Sequence, residues 1–137
     1  MEKRKISVFL GGTCQGYDWR LKLIPMLSDN IDYFDPYLRN GEPWDETAKL
    51  KERISRKTSD YVLYTLTSAC IKIPYSIAEV VDDSNKRPFK TVLFFDLNGF
   101  NEKEVNSANE IKNLCKRNGA TICESLEEVA NFFNNLA

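Results

Sequence analysis

Apolar residues fall along this chain in two alternating patterns, short solid runs and spaced stripes. The solid runs are Lys5 to Leu10 (KISVFL), Asp60 to Leu66 (DYVLYTL) and Lys90 to Phe95 (KTVLFF). They are rich in β-branched and aromatic residues and lack a polar alternation, which suits strands buried on both faces. Ile31 to Phe34 and Ala120 to Cys123 are shorter runs of the same kind. Between them the stripes keep helical spacing. Asp18 caps a segment with Trp19, Leu23, Met26 and Leu27 on one face. Trp44 to Lys57 carries a sparse stripe of Trp44, Ala48 and Ile54, plus Leu50. So thin a stripe covers a sheet weakly and leaves part of that helix facing a site. Glu46, Lys49, Lys51, Glu52, Arg53 and Arg56 read as its solvated face. A third helix starts near Pro74. Asn101 with Glu104, and Ser125 with Glu128, have capping-box spacing ahead of the last two helices.

Turn residues separate the elements. Asp35-Pro36 stops the second strand, Asn40-Gly41 and Glu42-Pro43 mark a loop, and Asn118-Gly119 ends the fourth helix. Five strands thus alternate with five helices, without repeats or an internal linker. This predicts an α/β fold: one flavodoxin-like or Rossmann-like three-layer sandwich. Its five-stranded parallel sheet has the order 2-1-3-4-5, with helices on both faces. Ligands of such sheets bind at the switch point, here between strands 1 and 3. The loops after those strands run from Gly11 to Asp18 and from Thr67 to Tyr75.

Composition narrows the chemistry. The 137 residues are 42% hydrophobic and 28% charged, with a net charge of -1. That is an ordinary globular balance, with no basic field for polymeric nucleic acid. Residues 1–12 have a charged start, but the apolar run from Ile6 to Leu10 is too short for a signal peptide or a membrane span. The expectation is a cytoplasmic protein without a membrane partner. The four cysteines, Cys14, Cys70, Cys115 and Cys123, lack C-x-x-C spacing, and there is no histidine. No metal site or cofactor is expected, and Ser-His and Cys-His catalysis is excluded. The cysteines read as reduced and mostly buried small hydrophobes, with Cys14 and Cys70 in strand-end loops where a pocket wall is the alternative to the core. The run GGTCQG after the first strand lacks the full G-x-G-x-x-G pattern and reads equally as a tight turn.

Carboxylates remain. Glu79 sits among Ile77, Ala78, Val80 and Val81 in the helix after strand 3, and Glu52 lies in the helix before that strand. Two acids at one cleft, without metal or histidine, suit glycosidic chemistry. One ionised carboxylate attacks or stabilises an anomeric carbon, and the other manages a proton.

Several segments carry a resemblance. VFLGGT (Val8 to Thr13), Asp18-Trp19-Arg20, YFDP (Tyr33 to Pro36) followed by Trp44, Glu52 eight residues before Asp60, and SIAEV (Ser76 to Val80) lie in order along the chain. Together the sequence resembles the nucleoside 2-deoxyribosyltransferase family, in particular its small deoxyribosyltransferase-like branch, as a single domain over 1–137. The resemblance implies cleavage or transfer of the N-glycosidic bond of 2′-deoxynucleosides or deoxynucleotides. Glu79 would be the nucleophile, and Glu52 would take the acid/base or orienting role. Gly11, Gly12, Thr13, Asp18 and Trp19 would line the sugar and base pocket, with Asp35, Trp44 and Ser76 as further substrate contacts. It also implies a homodimer or higher homo-oligomer; Phe132, Phe133 and Leu136 are candidate contacts for it, but they read first as the inner face of one amphipathic helix on its own monomer. The chain departs from the family at Ile73, at Glu52 and at Val80-Val81. Two alternatives stay open: a non-catalytic nucleotide-binding module, and an N-glycosidase acting on NAD.

Overall fold

The computed structural model describes residues 5–39 and 41–136. The charged start at 1–4 and the Asn40 half of the expected Asn40-Gly41 turn lie outside them. Five strands form one all-parallel sheet: β1 (Ile6–Gly12), β2 (Ile31–Phe34), β3 (Tyr61–Leu66), β4 (Thr91–Phe95) and β5 (Thr121–Cys123), in the order β2-β1-β3-β4-β5. Five α-helices cover it: α1 (Trp19–Leu23), α2 (Glu46–Thr58), α3 (Tyr75–Lys86), α4 (Glu102–Asn118) and α5 (Leu126–Asn134). No described helix is long and apolar enough to cross a membrane.

The solid apolar runs become the central strands because both their faces are covered. Val8, Leu10, Leu63 and Val92 pack with Trp19, Leu23, Val129 and Phe133 of α1 and α5 on one face. Phe9, Val62, Tyr64, Leu93 and Phe95 pack with Val80, Ala108 and Cys115 of α3 and α4 on the other. One of the two predicted capping boxes forms in full and the other in half. Asn101 and Glu104 form a complete capping box at α4. Ser125 accepts from the Glu128 N–H, but the Glu128 carboxylate accepts from Glu124 N–H instead of closing the box.

Two expectations change, and the reading of the last helix as part of its own monomer's core holds. The first strand extends through Gly11 and Gly12, which pair with Tyr64 and Thr65 of β3 instead of starting a loop. At Gly12 the backbone has φ +120°, and a Cβ there would lie 2.1 Å from the Thr65 carbonyl oxygen. Glycine is therefore required by close strand contact. The first helix ends at Leu23 because Pro25 follows, and a 3₁₀ turn, Ile24–Met26, replaces its last turn. In α5 Phe133 is buried and Phe132 packs edge-on against it and Tyr61, so this pair belongs to the protomer's own core, while Leu136 is exposed.

Candidate active site

The cleft is built where β1 sits between β2 and β3. Thr13, just past β1, and Thr67, just past β3, join their hydroxyls at 2.9 Å and so tie the two loops together. The cavity beside them measures about 450 Å³. Gly11, Gly12 and Thr13 line it from the β1 end, Glu52 from α2, and Ser76 and Glu79 from α3. Tyr37, Leu38 and Trp44 line it from the connection between β2 and α2. An adjoining cavity of about 330 Å³ shares Trp44 and Glu52 and includes Asp35.

Glu79 is 9% exposed. It occupies the second turn of α3, whose Val80 packs into the core beneath the sheet. The helix thus turns its apolar side to the sheet and carries the acid to the cavity edge. Burial pushes the Glu79 carboxyl up to about 7; Arg56 opposes the shift, and the charges of Glu52 and Asp83 add to it. Glu52 is raised as well, first by burial, against the pull of Arg56 and Arg20. Two acids with raised proton affinity in one cavity are the arrangement that acid–base chemistry needs.

Arg56 is the largest departure from the reading of α2 as a solvated face. Its Nε lies 3.6 Å from Glu79 Oε2 and 3.1 Å from Asp83 Oδ2, and donates to the Tyr64 hydroxyl at 2.9 Å. Its Nη2 reaches Asp82 at 3.2 Å. Tyr64 in turn donates to Asp83 at 2.6 Å. Burial and the Asp83 charge hold that phenol far above its usual range, so it stays a donor. Arg87 closes the cluster on Asp83 at 3.2 Å. The sequence contains the signal: Glu52 and Arg56, and Glu79 and Asp83, are each four apart and share a helix face. Replacing Arg56 with Met is expected to cost about 2–3 kcal/mol, because the buried acids lose a counter-charge while Arg87 still serves Asp83. Urea unfolding at pH 8 measures it. The loss shrinks at pH 5, where Glu79 holds its proton.

Arg20 is the second residue that spacing did not single out as a part of the site. Its side chain is 1% exposed and lies under the loop. It donates from Nε to the Leu10 carbonyl at 2.9 Å and from Nη1 to the Thr13 carbonyl at 3.0 Å. The Trp19 ring covers it at 4.3 Å. Arg20 thereby holds the end of β1 in shape.

Of the expected site residues, Glu79, Glu52, Gly11, Gly12, Thr13, Trp44 and Ser76 meet at the main cavity. Trp19 does not. It is fully buried, and its indole N–H donates to the Thr13 carbonyl at 2.9 Å, which makes it a core support of the loop. Asp18 caps α1 and pairs with Arg39 instead of lining the cavity. Asp35 also pairs with Arg39, at 2.6 Å, and faces the adjoining cavity only. Cys14 lines the main cavity, but its thiol is pushed above its usual range by burial, the wrong direction for a nucleophile. Cys70 lies elsewhere, in the 3₁₀ turn Ser68–Ile71, packed with Phe95 and Ala108.

Fold and cleft together define a doubly wound parallel α/β protein with a carboxylate-lined cavity at the switch point of its sheet. No family model matches the chain, and no curated protein matches it.

Proposed function

We propose that this protein cleaves the N-glycosidic bond of a 2′-deoxynucleoside or deoxynucleotide, with Glu79 as the nucleophile. The observation that carries the reading is the buried Glu79 carboxyl on the wall of a cavity that also holds Glu52. In the first step the Glu79 carboxylate bonds to the anomeric carbon as the carbon–nitrogen bond breaks. That bond's electron pair leaves with the base, which takes a proton from the Glu52 carboxyl. In the second step water, or an acceptor base, attacks the same carbon and loses a proton to the Glu52 carboxylate. The ester to Glu79 breaks and both carboxyl groups return to their starting forms. Arg56, 3.6 Å from Glu79, favours the ionised form that attacks.

The pH dependence follows from the raised Glu79 carboxyl. The attacking Glu79 is ionised while the donating Glu52 keeps its proton, so kcat/KM is expected to be bell-shaped, with its acid limb above the 4.5 of an ordinary carboxyl and a fall once the pH passes both raised carboxyls. A limb near pH 4.5 would show that an ordinary exposed acid controls the rate. Incubation of purified protein with 2′-deoxynucleosides and their nucleotides, with and without an acceptor base, tests the reading by chromatography of free base. No release under any of these conditions sinks it. Stabilisation by a nucleotide that stays uncleaved would establish the alternative, a binding module.

A further inference from the structure

Glu79 has a cation beside its carboxylate but takes no hydrogen bond from it. The Arg56 Nε stands 3.6 Å from Glu79 Oε2, too far for such a bond. The same Nε donates to the Tyr64 hydroxyl at 2.9 Å and to Asp83 Oδ2 at 3.1 Å. Arg56 Nη2 donates to Asp82 at 3.2 Å and to the backbone carbonyl of Glu79 at 3.4 Å. Two acids one turn apart on α3 thus compete for one guanidinium, and Asp83 holds it.

Asp83 is the better placed of the two. It is 4% exposed and lies outside both cavities of the site. The buried Tyr64 hydroxyl donates to it at 2.6 Å, and Arg87 Nε at 3.2 Å. Arg87 also donates to the Arg56 carbonyl, which ties Asp83 to the end of α2. The other charged and titratable groups around Glu79 are Glu52 of α2 and Asp82 of its own helix. Across the cavity stand Cys14, Arg20, Tyr37, Glu42 and Tyr75. Of these seven, among the described residues, Asp82 alone bonds Arg56. Arg20 is committed to the carbonyls of Leu10 and Thr13.

For a nucleophile the difference matters. A carboxylate in a direct charge-assisted pair with arginine has its lone pairs engaged, and it must break that bond to attack. A positive charge 3.6 Å away favours the ionised form without occupying those lone pairs. Resting on the proposed cleavage, we infer that Asp83 is a positioning residue for Glu79. By holding the Arg56 hydrogen bonds, with Tyr64, it keeps the attacking carboxylate charged yet unbonded.

The test uses Asp83→Asn and the double variant Asp83→Asn with Arg56→Gln. In Asp83→Asn the guanidinium is expected to turn to Glu79, the remaining buried acid within its reach. At the pH optimum kcat should fall about ten- to hundredfold, the strength of one charge-assisted hydrogen bond. KM should stay within about twofold, because Asp83 does not line the cavity. Adding Arg56→Gln should free Glu79 again and restore most of the lost kcat. A merely structural role for Asp83 predicts the opposite, a second loss on top of the first. An unchanged kcat in Asp83→Asn, or a double variant no faster than it, overturns the inference and leaves the cleavage reading intact. No base released by the wild type sinks the cleavage reading, and the role of Asp83 with it. If Asp83→Asn does not fold, the NMR signal of the Arg56 Nε–H in the wild type decides. It should shift little as Glu79 titrates, since its bonds run to Tyr64 and Asp83. A shift as large as the making of a hydrogen bond overturns the inference.

Discussion

Glu79→Gln is expected to lower the release of free base by about a thousandfold or more, as loss of an attacking carboxylate does when no neighbour can replace it. Glutamine keeps the shape of the side chain and its place in the second turn of α3, so the fold remains. The same variant should be more stable than the wild type at pH 8. The folded-state affinity of Glu79 for its proton is raised, with the carboxyl at about 7 instead of 4.5. A raised carboxyl favours the folded state while protonated, fully below about pH 4.5. That contribution is lost as the pH rises through 7, and above 7 the ionised group costs about 1–3 kcal/mol. Glutamine carries no such cost. Thermal unfolding of both proteins should therefore coincide below about pH 4.5, separate between 4.5 and 7, and keep the full difference above 7, with the variant ahead. Loss of activity together with gain of stability is the signature of a group held for chemistry. Equal stability of the two proteins at pH 8 would mean that Glu79 is an ordinary, well-solvated acid.

Gly12→Ala should be the most damaging small change in the chain, at about 3–5 kcal/mol. The added Cβ would stand 2.1 Å from Thr65 O and 2.7 Å from Thr65 N, both backbone atoms of β3. Side chains can swing away from a clash, but these atoms cannot move without opening the β1–β3 ladder. The positive φ of +120° adds strain for any residue with a Cβ. In thermal unfolding the loss amounts to a fall in Tm on the order of 10–20 °C. Gly41→Ala provides the control. Its φ is +72°, but nothing lies within 4 Å of the new atom, so its cost is about 1 kcal/mol. Similar losses at the two positions would show that backbone conformation, and not the close approach of two strands, is what Gly12 serves.

The sheet was legible in the sequence because its determinants are local. A strand such as KTVLFF is apolar from end to end only if both its faces are covered. The Asn101–Glu104 box and Gly119 mark α4 from within one turn at each end. Strand order followed from the alternation of elements, and the place of the cleft followed from strand order. Glu79 stood out as an acid amid apolar neighbours. What stayed hidden depends on contacts between distant segments. Gly11 and Gly12 read as a turn because nothing nearby reveals that β3 passes within contact of them. Trp19 and Asp18 lie where a pocket loop is expected, but the tryptophan turns inward to bind the Thr13 carbonyl, and the aspartate is taken by Arg39. Arg56 looked like one charge among several on a polar helix. Its partners Tyr64 and Asp83 come from β3 and α3; the four-residue spacings put Arg56 on the face of Glu52 and Asp83 on the face of Glu79, but do not bring the two faces together.

That same helix has a consequence for motion. α2 has no buried residue, and Leu50 and Ile54 are 50% and 52% exposed. Lifting it from the sheet would uncover little apolar surface, so the hydrophobic effect gives it a weak hold. Its attachment is mostly ionic, through Arg56 to the acids of α3. The segment that carries Glu52 is thus the one whose detachment leaves the two packed cores nearly intact. One acid of the pair rides on a clasp, and the other is set in the frame.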